Sequence, residues 1–202
     1  GYPKFGIGPF HGPFDYYLLF HEELKKNVIS SAKSISCPNL INKSFIEKFQ
    51  SISDIEYDEK SVLIALPYFV KFGSHSFETL DFEKTMLSIK PLIKTIKCNF
   101  NFNVYLRKHP NTPKDIFRKM LIKTDLQNDV LIDNLAINES IFRSPIIFSF
   151  FSTTLFEAKL VNHFPVIINN NSFDMNYFPI NYKSINMKED LSNQFKKIIN
   201  IE

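Results

Sequence analysis

The 202-residue chain is 44% hydrophobic and 15% aromatic, with 22 phenylalanines, 8 tyrosines and no tryptophan, enough for one sizeable core or two small ones. A formal net charge of +3 and a pI near 8.7 suit an anionic ligand such as a nucleotide phosphate or an acidic sugar. The basic residues are dispersed in runs no longer than two, far from a nucleic-acid-binding extreme.

The first 14 residues, GYPKFGIGPFHGPF, hold four of the five glycines and three prolines, the composition of a loop or linker. No secretory signal opens the sequence, which begins at Gly1 rather than methionine, so we expect a processed or truncated product. DYYLLFHEELKKNVISSAK, from Asp15, reads as a strand or short helix running into a helix. NKSFIEKFQSI (42–52) reads as a second helix with Asn42 or Ser44 as its cap. Cys37 and Cys98 show no CxxC or Cys/His spacing, which argues against a disulfide framework or a zinc site and for a reduced cytosolic setting.

Beyond the acidic turn SDIEYDEKS the rhythm changes. VLIALP (62–67) is a continuous apolar run ended by proline, the pattern of a strand buried on both faces. Residues 80–97 have helical spacing interrupted by Pro91, which should kink the helix or begin a new turn. FNVYLR (102–107) is a strand, KDIFRKMLIKT (114–124) a helix, DVLID (129–133) a strand and INESIFRS (137–144) a helix. PIIFSFF (145–151) and PVIIN (165–169) are strands flanking the helix TTLFEAKLVNH, and KEDLSNQFKKIIN (188–200) is a last helix.

Repeated strand–helix alternation means βαβ units, hence an α/β fold: a Rossmann-like parallel sheet with helices on both faces. Residues 62–202 form that domain, and 1–61 are a linker or the remnant of an N-terminal domain with interdomain helices. The longest apolar run, SPIIFSFF, is less than half of the roughly 20 residues that span a bilayer. We therefore expect a soluble chain, a property compatible with attachment to a membrane surface.

In open α/β sheets, ligands sit beyond the carboxyl ends of the strands. Three segments follow such ends: PYFVKFGSHS (67–76), Arg107-Lys108-His109-Pro110, and Ser152-Thr153-Thr154 with Glu157 one turn on. A helix starting at Thr153–Thr154 aims unpaired N–H groups and its positive dipole end at the crevice. Thr154-Leu-Phe-Glu157 also fits a T-x-x-E capping box, which binds nothing. Read alone, the box favours capping; three successive hydroxyls, where one suffices, favour a ligand. His109 can donate a hydrogen bond or a proton to a phosphate oxygen, with an ordinary pKa near 6.5. His-Pro alone is equally a simple turn. The stronger signal is the pair, since His109 and Ser152 end two strands of one expected rim. The phenylalanines of FSFF and FNFNVYL have strand spacing and are read as core. His11 lies in a glycine-rich loop and is read as an ordinary loop histidine; His21 and His75 have no identifiable partner. His163 falls in the turn before the last of these strands.

YLRKHPN, followed about 40 residues on by PIIFSFFSTTLFEAKLVNHFPVI, resembles the C-terminal, nucleotide-binding half of GT-B glycosyltransferases. The likeness is to bacterial enzymes that build capsule, lipooligosaccharide or sialylated surface glycans. It covers roughly 60–170 and extends weakly upstream. These enzymes carry a strand with His-Pro, a strand ending in a Ser/Thr pair, a helix with Glu-Ala, and a GKPVI-like strand. Here Asn162-His163 stands where glycine-lysine is common. The resemblance implies that His109 contacts the donor phosphate or protonates the leaving group. It gives Ser152, Thr153 and Thr154 to phosphate binding and Glu157 to ribose hydroxyls. It also implies sugar transfer without metal or other cofactor, from a CMP- or UDP-linked donor to a glycan or glycolipid acceptor. The place would be the cytoplasm, at the inner face of the membrane. The base that activates the acceptor belongs to the N-terminal domain in such enzymes, most of which is missing here. A UDP-N-acetylglucosamine 2-epimerase shares the fold but usually shows Ser-Gly before the glutamate helix. A non-catalytic Rossmann-like binding module is the reading from outside enzymology.

Overall fold

The computed structural model describes residues 16–19, 33–36, 38–67, 82–150, 152–169 and 182–200, with side chains from Lys43 onward. His11, His21, His75 and Cys37 lie outside the described residues, as do 68–76 of the segment after the first apolar strand. Tyr16–Leu19 (β1) and Lys33–Ser36 (β2) pair in parallel as a two-stranded sheet. β2 begins at Lys33, the last residue of the stretch from Asp15, and the helix expected before it lies outside the described residues. Pro38–Gln50 (α1) begins ahead of the helix expected at 42–52, so Asn42 and Ser44 are interior residues rather than caps. Proline suits the first helical position, where its missing N–H costs no bond.

The remaining elements alternate: Ser61–Ala65 (β3), Phe82–Phe100 (α2), Asn103–Arg107 (β4), Lys114–Lys123 (α3), Leu131–Ile132 (β5) and Ile137–Arg143 (α4). Then come Ile146–Ser149 (β6), Thr153–Leu160 (α5), Phe164–Asn169 (β7), Lys183–Asn186 (β8) and Leu191–Ile199 (α6). β3 to β8 form one sheet in the order β5-β4-β3-β6-β7-β8, every pair parallel. Counted from β3 this is the 3-2-1-4-5-6 order of doubly wound nucleotide-binding folds.

Side-chain alternation assigns the two faces. Val62, Ile64, Val104, Leu106, Ile146, Phe148, Val166, Ile168 and Ile185 pack with residues of α2, α3 and α6 in the larger core. Leu63 and Ile147 pack on the other side with Ile141 of α4 and Ala158 of α5, joined by Phe45 and Phe49 of α1. The expected helices on both faces are present. Phe195 of α6 meets Phe100, Phe102 and Phe148 at ring separations of 4.8, 5.5 and 6.3 Å. Phe148 and Phe150 are fully buried, so these rings are core, each contributing about 1.5–3 kcal/mol by burial.

Two departures have plain physical causes. α2 runs on through Pro91. The proline lies on the exposed side, while Thr85, Met86, Ile89, Leu92, Ile93 and Ile96 are buried. The carbonyl of Leu87, four residues before the proline, belongs to a residue 49% exposed, so water can take the bond the proline cannot make. The second concerns helix ends, where glycine usually supplies a left-handed residue. With four of the five glycines spent in the first 14 residues, Asn101, Asp125 and Asn162 do so instead, at φ 55°, 55° and 61°. Asn162, standing where the GKPVI-like motif has glycine, adopts the left-handed conformation that glycine takes at no steric cost. Asparagine is among the few side chains that tolerate that region.

Candidate functional site

The chain passes from β3 to β4 and β5 on one side, then returns through α4 to β6 on the other. The crevice at this reversal, beyond the carboxyl ends of β3 and β6, is where such sheets bind ligands. Ala65 of β3 lies in register with Arg107 of β4 and Ser149 of β6, so three strand ends stand level. They are tied together: Ser149 Oγ donates to the Ala65 carbonyl at 2.7 Å, and the Leu66 amide donates to the Arg107 carbonyl at 2.9 Å. His109 stands two residues past Arg107, and Ser152 three past Ser149. The two arms therefore leave the same edge of the sheet, two strand spacings or about 10 Å apart.

On the β6 arm, Ser152 is the N-cap of α5, its Oγ accepting from the Thr154 amide at 3.2 Å and lying 3.0 Å from Thr154 Oγ1. Of the two readings of this segment, the Thr154–Glu157 capping box is not formed. The cap lies two residues earlier, Thr154 is buried inside the first turn, and Thr153 is exposed at the helix start. Glu157 therefore takes no part in capping, and among the described residues it has no hydrogen bond or ion pair. It is half-buried, and burial pushes its carboxyl pKa up, while the Arg107 guanidinium pulls it down.

On the β4 arm, the Thr112 amide donates to the His109 carbonyl at 2.9 Å and closes the turn that Pro110 begins. The Asn111 amide donates to His109 Nδ1 at 3.2 Å, which assigns the imidazole proton to Nε2. Lys108 folds back, its Nζ donating to the carbonyls of His109 at 3.3 Å and Pro110 at 3.2 Å. Burial, and then the Lys108 charge, lower the His109 pKa. At neutral pH the ring is an uncharged hydrogen-bond donor through Nε2.

Behind β4 lies a polar cluster that sequence reasoning missed. Asp133, directly after β5, has a fully buried side chain and bridges two guanidiniums: Arg107 Nη1 donates to Oδ2 at 2.7 Å and Arg143 Nη2 to Oδ1 at 2.8 Å. Ser140 Oγ donates to Asp133 Oδ2 at 2.7 Å, and Arg143 lies over the Tyr105 ring at 3.4 Å. The signal available in the sequence was a charged residue ending an apolar strand, in both NVYLR and LID.

His163 occupies the turn before β7, as expected, at the sheet edge opposite the crevice. Its Nδ1 lies 2.8 Å from the Ser144 carbonyl and its ring meets Phe49 edge-on at 5.6 Å. A cavity of about 690 Å³ also opens at that opposite edge, lined by Asp58, Asn103, Tyr105 and Arg143 among others. Its lining also includes Leu135, whose carbonyl accepts from Arg107 Nη1 at 2.7 Å. Among the described residues no three His, Cys, Asp or Glu side chains gather as a metal site, and no helix is long and apolar enough to cross a membrane.

The parallel six-stranded sheet, its strand order and its carboxyl-edge crevice define a Rossmann-like domain of the GT-B kind. The chain is similar to Methanocaldococcus jannaschii UDP-GlcNAc 2-epimerase in complex with UDP-GlcNAc and UDP. The TM-score is 0.59 at 16% identity, over 93% of this chain and 55% of that one. A second structure of that epimerase gives TM-score 0.51 at 16% identity, over 89% and 52%. The wall teichoic acid polymerase TagF gives 0.45 at 14% identity, over 93% and 52%, too loose a likeness to argue from. The chain spans about half the length of these solved structures. No curated protein matches it. Residues 10–171 match the family described as Alpha-2,8-polysialyltransferase (POLYST), and the chain belongs to that family.

Proposed function

We propose that this chain is the donor-binding part of a metal-independent glycosyltransferase of the GT-B type. It moves a sugar from a nucleotide donor, first a CMP-linked acidic sugar and second a UDP-linked one, to a surface polysaccharide or lipooligosaccharide. The family match favours transfer over epimerisation, because the likeness to the epimerase is one of fold alone. Residues 62–202 form the nucleotide-sugar-binding domain, and 1–61 lead in from an N-terminal part that supplies the acceptor base. The acceptor places the protein in the cytoplasm at the inner membrane face.

The observation that carries this reading is that a protonated His109 Nε2 and the Ser152–Thr154 helix start leave one rim on either side of β3. As the glycosidic bond breaks, negative charge grows on the departing nucleotide phosphate. Donors fixed before the reaction stabilise that charge without reorganising. His109 meets the phosphate through Nε2–H, and the approaching anion raises its pKa so that it can protonate the leaving group. The hydroxyls and the helix N-terminus add neutral donors and a positive dipole end, each worth about 0.3–1 kcal/mol. Glu157, released from capping, accepts from ribose hydroxyls.

Isothermal titration of CMP, UDP and GDP against wild type and His109→Ala tests the reading. CMP binding weakened about tenfold or more by the substitution is expected. Absence of binding to every nucleotide, or unchanged affinity in His109→Ala, would overturn it.

A further inference from the structure

Basic residues that lie scattered along the sequence gather on two neighbouring helices. α2 carries four lysines against Glu83, a net +3, and α3 carries Lys114, Arg118, Lys119 and Lys123 against Asp115, again +3. Together they hold +6 in a chain whose formal charge is +3, so the remainder is net acidic. The helices lie side by side: the Phe82 and Phe117 rings stack at 6.5 Å, and Lys123 Nζ donates to Glu83 Oε2. Asp125 and Asp129, which follow α3, face Lys90 and Lys97 at 3.3 and 3.8 Å. Lys94, Lys114, Arg118 and Lys119 are exposed and make no ion pair or hydrogen bond among the described residues.

Apolar side chains stand among these charges. Seven large ones are exposed among the described residues, and four of them belong to this side of the sheet. Leu87 is on α2, and Ile116 and Ile122 are on α3. Ile132 of β5 pairs in register with Leu106, which packs in the core shared with α2 and α3. Ile116, Lys119 and Ile122 follow at intervals of three, so they share the face of α3 turned away from buried Phe117 and Leu121. Leu87 and Lys94, seven apart, share the outer stripe of α2 in the same way. Ile122 is 66% exposed, the most of the seven.

We propose that the outward face of α2 and α3 docks on an anionic lipid surface: Lys94, Lys114, Arg118 and Lys119 meet the headgroups while Ile116 and Ile122 enter the acyl boundary. The proposal deepens the inner-face placement given above and rests on that reading for its setting. Charge complementarity selects an anionic partner, with Asp115 subtracting one charge from the face. The isoleucines select its kind. A hydrated polyanion, nucleic acid or acidic glycan, gains little from a lone aliphatic side chain, whereas a bilayer buries it. Each cation held against an anionic leaflet strengthens binding about fivefold, so four with shallow apolar insertion suffice for reversible attachment. Long lysine and arginine stems lie along apolar surface while their charges reach the headgroups. α3 begins five residues after His109, so docking holds the donor crevice beside the surface that carries a glycolipid acceptor.

Flotation of the full chain with vesicles tests this, using phosphatidylcholine alone and phosphatidylcholine with about one-third phosphatidylglycerol. We expect binding to the anionic vesicles only, weakened about tenfold or more as salt rises from about 0.1 to 0.5 M. Arg118→Glu combined with Lys119→Glu should weaken it by more than about tenfold. Ile122→Ser should weaken it severalfold yet leave retention on heparin, a soluble polyanion, unchanged. If the double variant does not fold, as judged by circular dichroism, Lys94→Glu on α2 carries the charge comparison. Absence of binding to anionic vesicles, or binding indifferent to these substitutions, would overturn the proposal. Dependence on charge without dependence on Ile122 would also overturn it, in favour of a soluble polyanion. A change of oligomeric state in Ile122→Ser, read by size-exclusion chromatography, would overturn it in favour of a second copy of the chain. CMP titration of the same preparation separates the two readings. CMP binding without vesicle binding overturns this surface alone, and vesicle binding without CMP binding overturns the donor site alone.

Discussion

Ser152 Oγ accepts the Thr154 amide at 3.2 Å, and this bond leaves Glu157 out of the helix cap. A serine cap two residues before the threonine satisfies the helix start, so the carboxylate five residues on is not consumed by it. Ser152→Ala should cost about 1 kcal/mol of stability, the usual value of a lost N-cap. Glu157→Gln should cost less than about 0.5 kcal/mol, because it breaks no bond among the described residues. Urea denaturation of the two variants measures both. A reversed ranking would return Glu157 to the cap and withdraw it from the ligand.

Asp133 should be among the most destabilising positions to neutralise. Its side chain is fully buried, and those of Arg107 and Arg143 are 18% and 14% exposed. Asp133→Ala leaves two largely buried guanidiniums without their shared counter-ion, and we expect a loss on the order of 3–5 kcal/mol. Denaturant unfolding gives the value. A loss below about 1 kcal/mol, the scale of surface pairs, would show that water already screens the cluster.

The histidines set the pH response. Burial lowers the pKa of both His109 and His163, and Lys108 lowers that of His109 further. The unfolded chain then binds more protons than the folded one below the ordinary value near 6.5, so stability must rise with pH through that region. The loss on acidification begins near 6.5 and is complete below the depressed folded values. An NMR titration of His109 should show a midpoint below 6.5 in the free protein. Lys108→Ala should raise it without restoring it fully, because burial is the larger cause. CMP should raise it through the phosphate charge. A midpoint that CMP does not move would place the anion away from the imidazole.

Much of the sheet is legible in the sequence because strands buried on both faces are written as unbroken apolar runs, as in VLIA and IIFS. β8 is not, since KSIN buries a single aliphatic side chain, Ile185, and its pairing with β7 is a tertiary fact. Helix ends are legible only where the cap is local. The T-x-x-E pattern at Thr154 is genuine in spelling, yet Ser152 reaches the same amide first. The two arms of the crevice can be read because each follows a strand directly. The Arg107–Asp133–Arg143 cluster cannot, because its members come from β4, the end of β5 and α4, and meet only once the sheet has closed. Arg107 shows in the sequence merely as one of two cations before His109, and its strand register with Tyr105 is what turns it inward.

A crystal soaked with CMP will show whether His109 and the Ser152–Thr154 helix start grip one phosphate. We expect the phosphate within about 2.7–3.2 Å of His109 Nε2 and of a hydroxyl or amide among Ser152, Thr153 and Thr154, with the ribose against Glu157. Phosphate bound by one arm alone, or a nucleotide seated in the cavity at the opposite edge beside Asp58 and Arg143, would rule out a shared phosphate site at this rim.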